Sequence, residues 1–220
     1  MHLDKLYRKF DAQCKKLETR AKNIQTTKST ISNWEFSYLT NSLISVTWIN
    51  WCSFCRELLI ASCQGSIARN NQKILKRNLL NSPQRISYEA SLVKANSTTL
   101  QMPTANGHLN FPMWKEPTWG DPQKITRLIT ALNPSNSSTL LSIFGSANSL
   151  QHLQITRNAC AHKNSETINS IRSLSLDYSF SKINHPTELA WTIHKPSNEI
   201  AIFYWLYEMN LIADYATSTN

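Results

Sequence analysis

The sequence predicts an all-α protein. Apolar residues recur at helical spacing through most of the chain, whereas strict apolar–polar alternation is rare. The 220 residues also include only four glycines, few for the turn-rich architecture of a sandwich or barrel. A chain of this length can bury a real core and is read as a single helical domain, 1–220. Within it, 1–30 forms an N-terminal amphipathic helix and 81–122 a long irregular, loop-rich insertion.

In residues 3–28, Leu3, Leu6, Tyr7, Phe10, Cys14, Leu17, Ala21 and Ile24 recur at helical spacing among lysines and arginines, which predicts an exposed, basic amphipathic helix. A second helix is predicted from Trp34 to Cys63, with Gly65 as its stop. Its centre, Val46 to Ile60, is apolar nearly all round and should be the most buried element. A third helix is predicted from Ile67 to Leu80. From Asn81 to Pro122 periodicity fails, with Pro83, Pro103, Pro112, Pro117 and Pro122 as breakers. Phe111, Trp114 and Trp119 argue for an ordered loop packed on the helical core, with room for a short hairpin. Asp121-Pro122 is a helix start, Ile125, Leu128, Ile129 and Leu132 line one face, and Asn133-Pro134 ends it. A further helix is predicted at Ser137–Phe144; Gly145 to Leu153 leads into the residues around 157, and Glu166 to Leu176 continues helically after them. Leu189 to Ile193 is read as a possible strand, and Glu199–Tyr215 as an apolar closing helix.

The chain carries 23 Lys+Arg against 14 Asp+Glu, hence +9 with neutral histidines. That excess predicts a polyanionic partner, with RNA, DNA or an acidic protein all open, or a basic surface that serves solubility. The charged start, Met1 to Leu6, lacks the apolar core of a signal peptide. With an odd cysteine count (Cys14, Cys52, Cys55, Cys63, Cys160), it predicts a reducing cytoplasm and thiols that are free and mostly buried. Cys52-Ser53-Phe54-Cys55 has a metal-knuckle spacing but no second pair at zinc-finger distance, so no metal site is expected. The longest apolar stretch, Ile200 to Tyr207, is too short to span a bilayer, and no membrane association is expected.

Arg157-Asn158-Ala159-Cys160-Ala161-His162 carries the chemistry. An always-charged guanidinium five positions before an imidazole that titrates near neutral pH suits cleavage of a phosphodiester. The histidine moves a proton, and the arginine holds the charge that builds on phosphorus. Five positions along a straight helix turn through about 140°, so the pair works best where the motif straddles a helix start or bend, or where two copies meet. Asn158 is a candidate to orient His162 or touch phosphate. Lys163 is either a phosphate contact or a solvated lysine. Arg56, in Arg56-Glu57, is either a polar contribution to a nucleic-acid cleft or half of an internal ion pair. Trp114 and Trp119 either stack on unpaired bases or pack the loop.

With Arg157-Asn158 followed by Ala161-His162, and with an aromatic-rich early helix holding Trp48, Trp51, Phe54 and Arg56-Glu57, the chain resembles the HEPN superfamily. Pro117-Thr118-Trp119 and the apolar positions before the motif are also similar to prokaryotic members. Such helical domains occur in many prokaryotic toxin, antiviral and RNA-processing nucleases. The resemblance spans residues 30–215 at the level of helix order, and the six-residue motif is its specific part.

The resemblance implies a HEPN-like helical bundle and a homodimer in which two Arg157/His162 pairs meet. The implied activity is metal-independent cleavage of single-stranded RNA, with Arg157, His162 and Asn158 as the catalytic set and no cofactor. It also implies a toxin or antiphage-defence role, restrained by an antitoxin or a defence-system partner. A non-catalytic HEPN-like module that binds nucleic acid or protein is the alternative, with the motif then a vestige or a binding site.

Overall fold

The computed structural model describes residues 2–77, 80–93, 102–147 and 149–218. The fold is all-α. In chain order the described residues form α1 (Leu3–Thr27), α2 (Asn33–Gln64), a hairpin of β1 (Ser66–Ile67) and β2 (Lys73–Ile74), α3 (Pro83–Ser91), α4 (Pro122–Leu132), α5 (Ser137–Phe144), α6 (Ser149–Ala161), α7 (Ser165–Arg172), a second hairpin of β3 (Ile193–His194) and β4 (Glu199–Ile200), and α8 (Ala201–Ser218). Short 3-10 turns occupy Met113–Lys115, Ser173–Leu176 and Pro186–Trp191. No helix among the described residues is long and apolar enough to cross a membrane.

The chain divides into two compact units. The first comprises Met1–Lys9, Cys52–Ala147 and Ile212–Asn220. Its α4 begins as its sequence dictates: the Asp121 carboxylate accepts from the backbone N–H of Gln123 and Lys124 at 3.0 and 3.2 Å, and Pro122 sits at the first turn. Asn133 closes it in the left-handed region at φ 44°. Ile125, Leu128, Ile129 and Leu132 are all buried, and each such side chain contributes about 1.5–3 kcal/mol when fully removed from water.

Buried arginines organise the loop-rich part of this unit. Arg77 Nη1 and Arg85 Nε share the Glu89 carboxylate at 2.7 and 2.5 Å, and Arg85 Nη1 donates to the Thr104 and Ala105 carbonyls. Glu116 is a second anchor. Its carboxylate accepts from Arg56 Nε (2.7 Å) and Nη2 (2.9 Å), Ser87 Oγ (2.7 Å) and Trp119 Nε1 (2.8 Å). Burial works against the ionised carboxyl, yet these donors hold its pKa below the usual value.

The second unit comprises Phe10–Trp51 and Asn148–Leu211. Trp51 packs tilted on Phe10, with ring centroids 6.1 Å apart, and Trp191 Nε1 donates to Thr40 Oγ1 at 3.0 Å. Helix α6 packs against α7 and against the 186–191 turn. On α1 the ladder of i,i+4 pairs, including Lys15–Asp11 at 2.7 Å and Lys22–Glu18 at 2.6 Å, is solvent-facing and supports the helix by only about 0.3–0.5 kcal/mol per pair.

Four sequence expectations are corrected. The helix expected over 67–80 is hairpin β1–β2 in its described part; residues 78–79 lie outside the described residues. Arg69-Asn70-Asn71-Gln72 makes the turn, with Asn70 Oδ1 accepting from the Gln72 N–H and Asn71 at φ 67°, a conformation asparagine tolerates. In the 81–122 insertion, residues 94–101 lie outside the described residues; the rest holds α3 and a 3-10 turn where a hairpin seemed open. Ser82 Oγ accepting from Arg85 N–H, followed by Pro83, starts α3. Residues 186–191 form a 3-10 turn, and the strand begins only at Ile193, because Pro186 fixes a helical first position. Finally, α2 is not buried all round: Val46 and Ile49 are exposed, as are Trp34 and Tyr38, which stack at 5.6 Å.

Replacing Glu116 by Ala leaves Arg56, Ser87 and the Trp119 N–H without their acceptor. Equilibrium urea denaturation should show a loss of about 2–3 kcal/mol, below the range for a fully enclosed pair because water reaches Arg56.

Candidate functional site

Helix α6 is placed by its buried side. Leu150, Leu153, Thr156, Ala159 and Cys160 face the interior of their unit at three- and four-residue steps. Between them Arg157 and Asn158 are half-buried, so the core fixes the backbone while leaving both polar heads near solvent. Arg157 Nη1 donates to Asn158 Oδ1 at 3.3 Å. The Cys160 thiol is pushed up to about 12, chiefly by burial, with the Lys163 ammonium opposing, so it stays a neutral packing group.

The helix ends at Ala161, inside the motif. His162 stands just beyond it, exposed, with its backbone N–H still donating to the Asn158 carbonyl at 2.9 Å. The motif therefore straddles the C-terminal end of a helix, whereas a helix start or bend was expected. The following turn is tightly tied. Asn164 Oδ1 accepts from the Thr167 N–H at 2.9 Å to cap α7, and Thr167 Oγ1 lies 3.3 Å from the His162 carbonyl oxygen, to which it donates. Lys163 is exposed in that turn.

Of the predicted set, Arg157 and Asn158 touch, and His162 and Lys163 follow at the helix end. Arg56 belongs to the other unit. Both its Nε and Nη2 are committed to Glu116, and Glu57, its sequence neighbour, pairs with Lys9 at 3.0 Å. The internal-ion-pair reading of Arg56 holds, with a partner 60 positions away in place of the adjacent acid. Trp119 is buried, whereas Trp114 is exposed with the Lys115 ammonium 5.1 Å from its ring centroid.

What orients α6 comes from residues distant in the chain. Trp205 Nε1–H donates to the Tyr178 hydroxyl at 2.9 Å, and that hydroxyl lies 3.0 Å from His152 Nδ1 in the second turn of α6 region 149–161. The Tyr178 hydroxyl and His152 Nδ1 thus share a hydrogen bond, and His152 Nε2 lies 3.8 Å from Asp177 Oδ2. Burial lowers the His152 pKa, Asp177 opposes, and His194 adds to the depression. His194 stacks on Tyr204 at 4.0 Å and is lowered mainly by burial as well.

Elsewhere in this unit, α1 and α8 line a cleft of about 520 Å³ that includes Cys14, Lys15, Glu18, Tyr204, Tyr207 and Asn210 and none of the motif residues. Among the described residues no three His, Cys, Asp or Glu side chains gather as a metal site. Comparison of the chain with family models, with curated proteins and with solved structures returns no match.

The histidine pKa directions set an acid limit on folding. His152, His185 and His194 are each held below the model-compound value of 6.5, so as pH falls the unfolded chain takes up protons first. Their contribution is complete above about pH 6.5 and is lost as pH drops through the folded values. Tm measured by circular dichroism should fall between pH 7.5 and 5.5, and His152→Gln, which keeps an acceptor for Tyr178, should shrink that fall.

Proposed function

We propose that the chain is a metal-independent endoribonuclease that cuts single-stranded RNA at the α6–α7 end of its second unit. The observation that carries this reading is a charge left uncompensated. Among the described residues Arg157 meets no carboxylate; its one recorded partner is the neutral amide of Asn158. His162 is exposed one helical turn further on. A guanidinium fork followed by an imidazole is suited to a phosphodiester.

The reaction consistent with these groups is an internal transesterification. The ribose 2′-oxygen loses its proton and bonds to phosphorus, the bond to the 5′-oxygen breaks, and that oxygen takes up a proton. The products are a 2′,3′-cyclic phosphate and a 5′-hydroxyl. His162 serves one of the two proton transfers, worth about 100- to 10,000-fold. Arg157 binds the non-bridging oxygens and stabilises the phosphorane charge. A second copy, with its own Arg157 and His162, supplies the other proton-transfer group in a homodimer. A cytoplasmic toxin or antiphage effector restrained by an antitoxin or a defence-system partner is the setting that the HEPN resemblance favours.

The second reading, a non-catalytic module that binds nucleic acid or protein, draws support from the 520 Å³ cleft on α1 and α8, which lies among residues other than the motif.

Incubation with single-stranded RNA in excess EDTA decides between them. Wild type should release 2′,3′-cyclic phosphate ends, and Arg157→Ala and His162→Ala should each lower kcat/KM at least about 100-fold with an unchanged circular dichroism spectrum. Tight RNA binding without cleavage, indifferent to both substitutions, would replace the enzyme by the binding module.

A further inference from the structure

Within the second unit, α1 and α2 leave an apolar groove between them. Leu17 of α1 and Leu43 of α2 are its buried floor, and Ile24, Leu39 and Val46 form its sides, around a volume of about 320 Å³. Val46 also belongs to a wider apolar face of α2. Trp34, Tyr38, Val46 and Ile49 are all exposed, and their spacing keeps them on one side of the helix. Fifteen residues of α-helix rise about 22 Å, so this face is four turns long. Trp34 and Tyr38 stack ring on ring, with centroids 5.6 Å and planes 9° apart. At 75% and 58% exposure these two rings present about 300 Å² to water, a patch that a chain without a partner for it seldom keeps.

Charge selects the occupant. Residues 10–51 hold five cations and three acids. Two of the acids are taken, Asp11 by Lys15 at 2.7 Å and Glu18 by Lys22 at 2.6 Å. The third, Glu35, lies in the first turn of α2. Lys16 and Arg20 stand one turn apart on α1, both exposed, and neither makes an ion pair among the described residues. Arg20 lines the groove itself, and among the described residues no carboxylate does. A second copy seated on the same face would set its own Lys16 and Arg20 against these, because a two-fold contact places one patch on its twin, and like charges there repel. The alkyl lining suits leucine and isoleucine side chains better than nucleobases or phosphates.

We propose that the α1–α2 groove docks an acidic amphipathic helix of a protein partner. The aliphatic stripe of that helix fills the space over Leu17 and Leu43 and continues along the exposed face of α2, while its carboxylates pair with Arg20 and Lys16. Four turns of α2 accommodate a helix of about 15 residues. Nothing in this surface uses Arg157 or His162, so it stands or falls apart from the nuclease reading.

The probe is a fluorescently labelled synthetic peptide of about 15 residues, with leucines at helical spacing on one side and glutamate and alanine on the other. Its controls are the same residues in scrambled order and a version with lysine for every glutamate. Fluorescence anisotropy at physiological ionic strength should show the full-length chain binding the acidic peptide at least about tenfold more tightly than either control. Val46→Gln, a neutral change at an exposed position, should weaken that binding about fivefold. Arg20→Glu should weaken it about tenfold and strengthen binding of the lysine peptide, a reversal that loss of structure would not produce. Equal binding of the acidic and scrambled peptides, or binding indifferent to both substitutions, overturns the proposal. So does sedimentation in which Val46→Gln turns a dimer into a monomer, since a second copy then covers the face. Val46→Gln that weakens single-stranded RNA and leaves the acidic peptide unaffected gives the face to RNA and also overturns it.

Discussion

The buried hydroxyl of Tyr178 is the fixed point on which the motif-bearing unit depends. Tyr178 is fully buried, and a hydroxyl taken out of water without partners costs about 1–3 kcal/mol. It is satisfied from two sides, by the Trp205 N–H on α8 and by His152 Nδ1 on α6. Its backbone bridges to His194. Neither α6 nor α8 can rotate about its axis without breaking one of these bonds. The direction in which Arg157 leaves α6, five residues after His152, is therefore set by a tyrosine that has no part in the chemistry.

Charge pairing separates the basic side chains of the two units. Arg56, Arg69, Arg77 and Arg85, all in the first unit, each meet a carboxylate: Glu116, Asp214 with Asp4, and Glu89 for the last two. A fully buried guanidinium such as Arg77 or Arg85 needs such a partner, because its desolvation is otherwise uncompensated. Arg157 and Lys163 in the second unit have no carboxylate partner among the described residues. Their positions at and beyond the end of α6 let water solvate them in place of an acid. The +9 balance thus acts locally: part of the positive charge is consumed in holding loops, and part meets no carboxylate among the described residues.

Much of the secondary structure was legible because it rests on short-range physics. Asp121-Pro122 and Asn133-Pro134 bound α4, since a carboxylate can cap only the N–H groups two and three residues on, and asparagine accepts the left-handed closing residue. Ser137–Phe144 and the two long N-terminal helices follow from apolar spacing alone. The misreadings fell where two local signals competed. In 67–80, apolar spacing favoured a helix, but the Asn70-Asn71 pair made a turn and Ala68 N–H bonded back to the Gln72 carbonyl at 2.9 Å. In 186–191, a run of strand-formers was overridden by Pro186 and by the His185 cap.

The sequence by itself determined the all-α character, the caps that start and stop individual helices, and the arginine–histidine pair with the chemistry its side chains can perform. These depend on residues within a few positions of each other, where spacing along the chain is also spacing in space. Only the tertiary structure decided that α6 ends within the motif, that Arg56 is bound to Glu116, and that Tyr178 orients His152. The two pairings join residues 26 positions apart for His152–Tyr178 and 60 for Arg56–Glu116. No local propensity encodes such pairings; they follow from which helix faces must be buried together and which polar groups then need a partner.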